Sequence, residues 1–300
     1  MLTLFATPKP FTGHVGDIQW NAVQSWVRLA GCQVVLLGEE SGVEQCAREA
    51  GCLHIARVDV SPRGTPLLSS VYAHVRAVAR HRLLCYVNGD ILLLPEFLDA
   101  VRRASDLVAT PLLLGRRMDT DIVGRLDFAA GWEDRVRETV RLNGTLHAHT
   151  GIDFLVFPKA LFEELPPFVL GRGGWDNWFV GAAMERGATA VDITPCVAVV
   201  HQNHDYSHHP GGMRAIFAGD EAQTNRELSG GYTRLRTIAD AQYLLLPSGL
   251  RPNRSLYRLY RWFVATSERS PALAWVLRLV RRFRDRAALR TERRRMLTLR

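Results

Sequence analysis

Apolar runs alternate with polar, helix-spaced stretches along the first 115 residues. Leu2 to Ala6 reads as a short buried strand, followed by a proline-containing loop to Gly13. From Asp17 to Ala30, Ile18, Trp20, Val23, Trp26 and Val27 recur at helical spacing, with Gly31 as the stop. Gln33 to Leu37 is a second strand, Val43 to Ala50 a second helix, and His54 to Val60 a third strand. Gly64-Thr65-Pro66 opens a helix carrying Leu68, Val71, Val75 and Val78. Arg82 to Val87 is a fourth strand, Pro95 to Ala104 is helical, and Leu107 to Leu114 is extended. Such alternation, with near-continuously apolar strands, predicts an α/β fold: a mostly parallel sheet flanked by helices on both faces.

From Arg116 to Ala148 the pattern turns polar and irregular, with one helix from Trp132 to Leu142. A loop of that length in a compact domain is more often functional than idle. Thr150 to Pro158 resumes as a strand, Phe168 to Gly174 is a glycine-rich loop, Trp175 to Arg186 a helix, and Ala190 to Val200 a strand. The chain is then loop-rich to about Gly249. This divides it into a body over 1–249, in halves 1–115 and 116–249, and an extension over 250–300.

Composition changes the picture at the ends. A hydrophobic fraction of 47% and a charged fraction of 23% are those of an ordinary globular chain. Five scattered cysteines without a CxxC pair predict reduced thiols and a cytoplasmic setting. Met1 to Lys9 lacks a basic n-region and a long apolar core, so it is expected to be a strand rather than a signal peptide. No run of apolar residues is long enough to span a membrane. The net charge of +8 is uneven: Arg251 to Arg300 holds fifteen Arg, no Lys and three acids, for +12, which leaves −4 on the rest. That tail reads as two helices, 253–267 and 271–297, with Leu256, Leu259, Phe263, Leu273, Val276 and Val280 among the arginines. One reading is a basic amphipathic surface, with Trp262 and Trp275, lying on an anionic membrane such as the inner face of the cell membrane. The other is a pair of helices packed on the body with a solvated charged face. No recognised nucleic-acid-binding module accompanies the charge, so no nucleic-acid partner is expected.

Three segments carry candidate chemistry. In the first, an apolar strand delivers Asp90 behind Asn88 and Gly89, at the strand end where α/β sheets bind ligands. A carboxylate there is either a hydrogen-bonding turn residue or a ligand for a hard divalent cation. In the second, Gly171-Arg172-Gly173-Gly174-Trp175-Asp176-Asn177-Trp178 sets an acid at a helix N-terminus between two tryptophans. Asp176 is a simple N-cap or a reactive carboxylate, and the tryptophans suit stacking on sugar rings. In the third, His201, His204, His208 and His209 fall within nine residues after a strand. Their spacing fits no closed zinc site, which favours His201 as one ligand with His204 and Asp205 behind it or on phosphate. No GxGxxG follows the first strand and no GxxxxGK[ST] occurs, which argues against a dinucleotide dehydrogenase and a P-loop NTPase.

The order Asn88-Gly89-Asp90, then Asp176, then His201 resembles GT-A-type glycosyltransferases, family 2 in particular, over residues 1–209. The resemblance implies an inverting transfer of a sugar from a nucleotide-sugar donor to a hydroxyl acceptor, such as a glycan or a lipid-linked acceptor in cell-surface polysaccharide synthesis. It implies a donor half over 1–115 and an acceptor half over 116–249. Asp90 and His201 would hold Mn2+ or Mg2+ with the donor diphosphate, and Asp176 would be the base. Thr7, Lys9 and Asp59 would lie near the nucleotide, and Asp153, Trp175, Asn177 and Trp178 near sugar or acceptor. The simpler reading of Asp153 is a solvent-facing strand residue. The departure is Asn88, where the family usually has the first Asp of Asp-x-Asp; an amide reaches ribose or a metal-bound water but brings no charge. Two other functions compete. A sugar nucleotidyltransferase would want a glycine-rich basic loop after the first strand, which Thr7-Pro8-Lys9-Pro10 matches poorly. A catalytically silent sugar-nucleotide- or glycan-binding module at the membrane is suggested by Asn88.

Overall fold

Alternation along each strand decides which face a side chain covers. The computed structural model of the chain describes residues 1–204, 218–231, 234–256 and 258–260. Contacts divide the chain into Met1–Asn253 and Arg254–Arg300. The expected Arg-rich helices fall almost wholly outside the described residues.

The first half runs β1 (Leu2–Ala6), α1 (Gly13–Val27), β2 (Cys32–Leu37), α2 (Val43–Ala50), β3 (Leu53–Ile55), α3 (Leu68–Val78) and β4 (Leu83–Val87). Next come β5 (Ile91–Leu93), α4 (Glu96–Leu107), β6 (Pro111–Leu114), β7 (Met118–Thr120), α5 (Trp132–Asn143), β8 (Thr145–Leu146) and β9 (Phe154–Pro158). After them are α6 (Trp175–Glu185), β10 (Thr189–Asp192), β11 (Val199–Gln202), α7 (Asp220–Leu228), β12 (Tyr243–Leu246) and β13 (Gly249–Pro252).

The main sheet has the order β13-β12-β10-β6-β9-β4-β1-β2-β3. Most neighbours are parallel; β9 runs against both of its partners, and β13 folds back on β12. This is the mostly parallel α/β sheet flanked by helices that the alternation predicts. Leu2, Leu4, Val34, Leu36, Cys85 and Val87 point to the face packed by α1, α2 and α4, around Trp26, Val43, Phe97 and Val101. Phe5, Val35, Leu37, Leu84 and Tyr86 point to the other, beneath Val71, Tyr72 and Val75 of α3 and Trp175 and Phe179 of α6. Each such side chain, fully buried, contributes about 1.5–3 kcal/mol, so both faces are strongly specified.

A second sheet, β5-β11-β7-β8, was not anticipated. α5 covers it with Trp132, Val136 and Val140 against Leu92 and Val200. Trp26 ties it to the main layer, its indole N–H donating to the Ile91 carbonyl at 2.8 Å.

Three elements differ from the reading of the sequence. The expected single strand from Ala190 to Val200 is two: a 3-10 turn at Thr194–Cys196 contains Pro195, and the Asp192 carboxylate accepts from the Thr194 N–H at 2.9 Å. The break sends β10 to the main sheet and β11 to the second. The third strand stops at Ile55, at one edge of the main sheet, although extended residues were expected to Val60. The supposedly loop-rich region before Gly249 contains α7 and the start of the β12–β13 hairpin.

Candidate active site and metal centre

Register in the second sheet builds the site. β11 pairs antiparallel with β5, setting His201 opposite Ile91, and parallel with β7, setting His201 beside Asp119. Asp90 immediately precedes β5, so three short strands line up Asp90, His201 and Asp119. The turn that carries Asp90 is fixed from below. A Cβ at Gly89 would lie 3.1 Å from Oε1 of Gln19, so glycine permits this close approach. Gln19 accepts from the Lys9 N–H at 2.6 Å and donates to the Lys9 carbonyl at 2.9 Å. Gln202 donates its side-chain N–H to the Asp90 carbonyl at 3.2 Å and to the Ile18 carbonyl at 2.7 Å. Asn21 donates to Gln202 Oε1 at 2.9 Å and accepts from the Leu126 N–H at 2.8 Å. The Asn88-Gly89-Asp90 turn is therefore held by a buried amide network.

Asp90 Oδ2 lies 3.1 Å from His204 Nε2 and 3.8 Å from His201 Nε2. The three side chains offer ligand atoms all within 4.8 Å of one another. Burial opposes ionisation of Asp90, but the His204 hydrogen bond and the charges of His201, His204 and Lys9 hold it well below the usual carboxylate range. Burial lowers the pKa of His201 against the pull of Asp90, which favours the neutral imidazole that ligates metals. Asp90 Oδ1 is buried with no hydrogen-bond partner among the described residues. A mixed oxygen and nitrogen donor set with an orphaned carboxylate oxygen fits a divalent cation. His204, expected behind His201, stands with it at Asp90. Asp205, His208 and His209 lie outside the described residues.

Asp153 is 3% exposed, immediately before β9. Its Oδ1 accepts from Asn88 Nδ2 at 3.0 Å and from Arg117 Nη1 at 2.6 Å, while Oδ2 has no partner among the described residues. It is thus a buried residue, not the solvent-facing one that the alternative reading allowed. Burial raises its pKa despite Arg117.

Asp176 lies in the first turn of α6, behind Gly174, whose φ of +97° favours glycine. Burial pushes its carboxyl up to about 7, against backbone N–H groups of Asn177, Asp176 and Gly174 and with the charge of Asp153 adding to the rise. A carboxylate with a pKa near neutrality is suited to take a proton.

The remaining residues singled out in the sequence are placed as follows. Trp175 is 5% exposed and packs edge-on against Tyr86, with ring centroids 4.8 Å apart. Trp178 is half-buried against Phe168 at 4.8 Å, and Asn177 donates to the Arg236 carbonyl at 2.8 Å. Thr7 shares a hydrogen bond with the Tyr86 hydroxyl. Lys9 faces Asp90 and Arg172, and its pKa is lowered chiefly by burial. Asp59 is exposed on the loop after β3; its N–H donates to the Ser70 hydroxyl oxygen at 2.8 Å.

Several residues near the site gave no sequence signal. Arg117, Asp119 and His147 form an ionic chain behind His201. Arg172 is paired with the buried Glu221 of α7 at 2.7 Å, and Glu221 also accepts from Ser61 and Thr65. Only the second sheet and α7 bring these partners together, across separations no local pattern reveals.

No protein-family model matches the chain, and no curated protein sequence matches it. Among solved structures it is similar to glucosyl-3-phosphoglycerate synthase from Mycobacterium tuberculosis, in complex with Mg2+ and uridine diphosphate. That likeness has 13% identity and a TM-score of 0.48, and covers 77% of this chain and 80% of the other. It is also similar to S. aureus TarS 1–349, at 12% identity and a TM-score of 0.46 over 67% of this chain. The chain spans 60% of that TarS chain. At such identities side-chain roles do not carry over, and the chemistry rests on this chain's own residues.

Proposed function

We propose that the chain is an inverting glycosyltransferase that moves a sugar from a nucleoside-diphosphate donor to a hydroxyl acceptor. The observation that supports this best is a pair of contrasting acids whose charges both bear on the buried Tyr86. Asp90 is kept ionised beside two imidazoles, and Asp176 is raised to about 7. Environments that push two carboxyls apart in this way separate a charge-holding role from a proton-taking one.

Asp90, His201 and His204 would hold Mn2+ or Mg2+, which supplies charge neutralisation on the departing diphosphate when bound. Lys9, half-buried beside Asp90, adds a positive charge on the same side. Asp176 takes the proton of the acceptor hydroxyl as that oxygen attacks the anomeric carbon, and attack from the face opposite the nucleotide inverts the centre. Asp153, with one buried oxygen unpaired among the described residues, accepts a hydrogen bond from a donor-sugar hydroxyl. Trp175 supports this wall from beneath, while Trp178 and Asn177 line the acceptor side, and Thr7, Asn88 and Asp59 lie toward the nucleoside. The acceptor belongs to surface-glycan or polysaccharide synthesis, and the Arg-rich extension, whose residues lie almost wholly outside the described ones, meets an anionic membrane surface.

The test is release of free nucleotide from a panel of sugar nucleotides with Mn2+ and a hydroxyl acceptor mixture. Turnover lost in Asp90→Ala supports the reading. Tight donor binding without turnover under any acceptor would instead indicate a silent binding module.

A further inference from the structure

Behind the candidate metal ligands lies a second layer of charge. Asp119, on β7, is the register neighbour of His201 on β11. Its Oδ1 is 3.0 Å from His201 Nδ1 and 2.7 Å from Arg117 Nε; its Oδ2 is 2.6 Å from His147 Nδ1. The approach to His201 lies out of line with a ring N–H, so Nδ1 makes no hydrogen bond among the described residues, though it is fully buried. One face of His201 therefore points Nε2 at Asp90, and the other presents an unsatisfied nitrogen to a carboxylate already at contact distance.

Asp119 is itself fixed from two sides. Arg117 bridges it to Asp153, with side chains 15% and 4% exposed at that second contact. His147, immediately after β8, closes the other side. A carboxylate at 22% exposure with three cationic or imidazole neighbours is no solvated surface ion. A carboxylate that accepts the far N–H of a metal-bound histidine fixes its ring and raises its basicity, and at 3.0 Å Asp119 Oδ1 is within reach of that bond once the His201 ring turns to a cation.

We propose that Asp119 is a positioning residue for His201, held by Arg117 and His147, and that it sets this ring for cation binding. The inference rests on the metal reading of Asp90, His201 and His204 and names the group that makes His201 an effective ligand. By sharing Arg117, Asp119 is tied to Asp153, so one guanidinium joins the metal side of the site to the sugar side.

The experiment titrates MnCl2 into the full chain by calorimetry, for wild type, Asp119→Asn, Asp119→Glu and His147→Gln. Melting in EDTA is recorded for each. Asp119→Asn should raise the Mn2+ dissociation constant about 10–100-fold with EDTA melting little changed. Asp119→Glu should recover part of the affinity, and His147→Gln should weaken it less, because Arg117 still holds the carboxylate. Unchanged Mn2+ affinity in Asp119→Asn, beside wild type that binds, would overturn the proposal and leave the metal reading standing. An Asp119→Asn chain that melts early in EDTA yet binds Mn2+ normally would reduce Asp119 to a sheet staple and also overturn it. Wild type that binds no Mn2+ would overturn both.

Discussion

Replacing Asp176 with Asn removes a proton acceptor while keeping the shape of the side chain. In the folded protein burial sets its carboxyl at about 7, against an ordinary value of 3.8. Below about pH 4 the group is protonated in folded and unfolded chains alike and costs nothing. Between those values the unfolded chain ionises first, so folding loses stability as pH rises; above about 7 both forms are ionised and the loss is constant. At 1.36 kcal/mol per pH unit the gap corresponds to at most on the order of 4 kcal/mol, less where water reaches the half-buried carboxyl. Asp176→Asn escapes this loss, so from pH 4 to pH 8 its melting temperature should rise relative to wild type by up to roughly 10 °C. Its amide oxygen can still accept from the backbone N–H groups of the first helical turn. Activity should move the other way. Wild-type kcat/KM should climb through a pKa near 7, and Asp176→Asn should lose about 10²–10⁴-fold with donor affinity nearly kept. Parallel melting curves for the two proteins across this pH range, or a fully active Asp176→Asn, would refute the reasoning.

Two further substitutions probe the supports of the site. Asn21→Ala strips partners from Gln202 Oε1, the Gly124 carbonyl and the Leu126 N–H, in a pocket with no exposure. Urea unfolding should show a loss of about 2–4 kcal/mol, because buried groups left unpaired cost their full desolvation; a loss within error would mean the amide network is incidental. Asn88→Asp puts a second carboxylate where an amide now donates to Asp153 at 3.0 Å. Stability above pH 6 should fall by about 1–3 kcal/mol. Adding Asp153→Asn should restore it, whereas an unchanged double variant would show that the two residues are not coupled.

The main sheet was legible because its strands are apolar on both faces and its helices carry strong periodicity. Leu83 to Val87 is a run that only a buried strand accommodates. The second sheet was not legible. β5 is three residues long, β8 two, and β7 is Met118-Asp119-Thr120, which carries no strand pattern of its own. Those strands exist because β11 pairs with both β5 and β7, a long-range fact that no window can contain. Pro195 stands within Ala190 to Val200 at the point where the strand divides. The site followed the same division. Asp90, Asp176 and His201 stand at element ends, where an isolated polar residue after an apolar run is conspicuous. Arg117, Asp119 and Glu221 sit among many other charges, and only tertiary pairing distinguishes them. Burial of Asp153 likewise depends on β9 being inserted between β4 and β6.

Thermal stabilisation by UDP, GDP, CMP and dTDP, each with and without Mn2+, on wild type and Asp90→Ala, reads donor and metal binding at Asp90 in one assay. A nucleotide at a hundred times its dissociation constant adds about 2.7 kcal/mol. The account predicts a Mn2+-dependent shift with one base, absent in Asp90→Ala. No shift with any nucleotide, or an equal shift in Asp90→Ala, would contradict it.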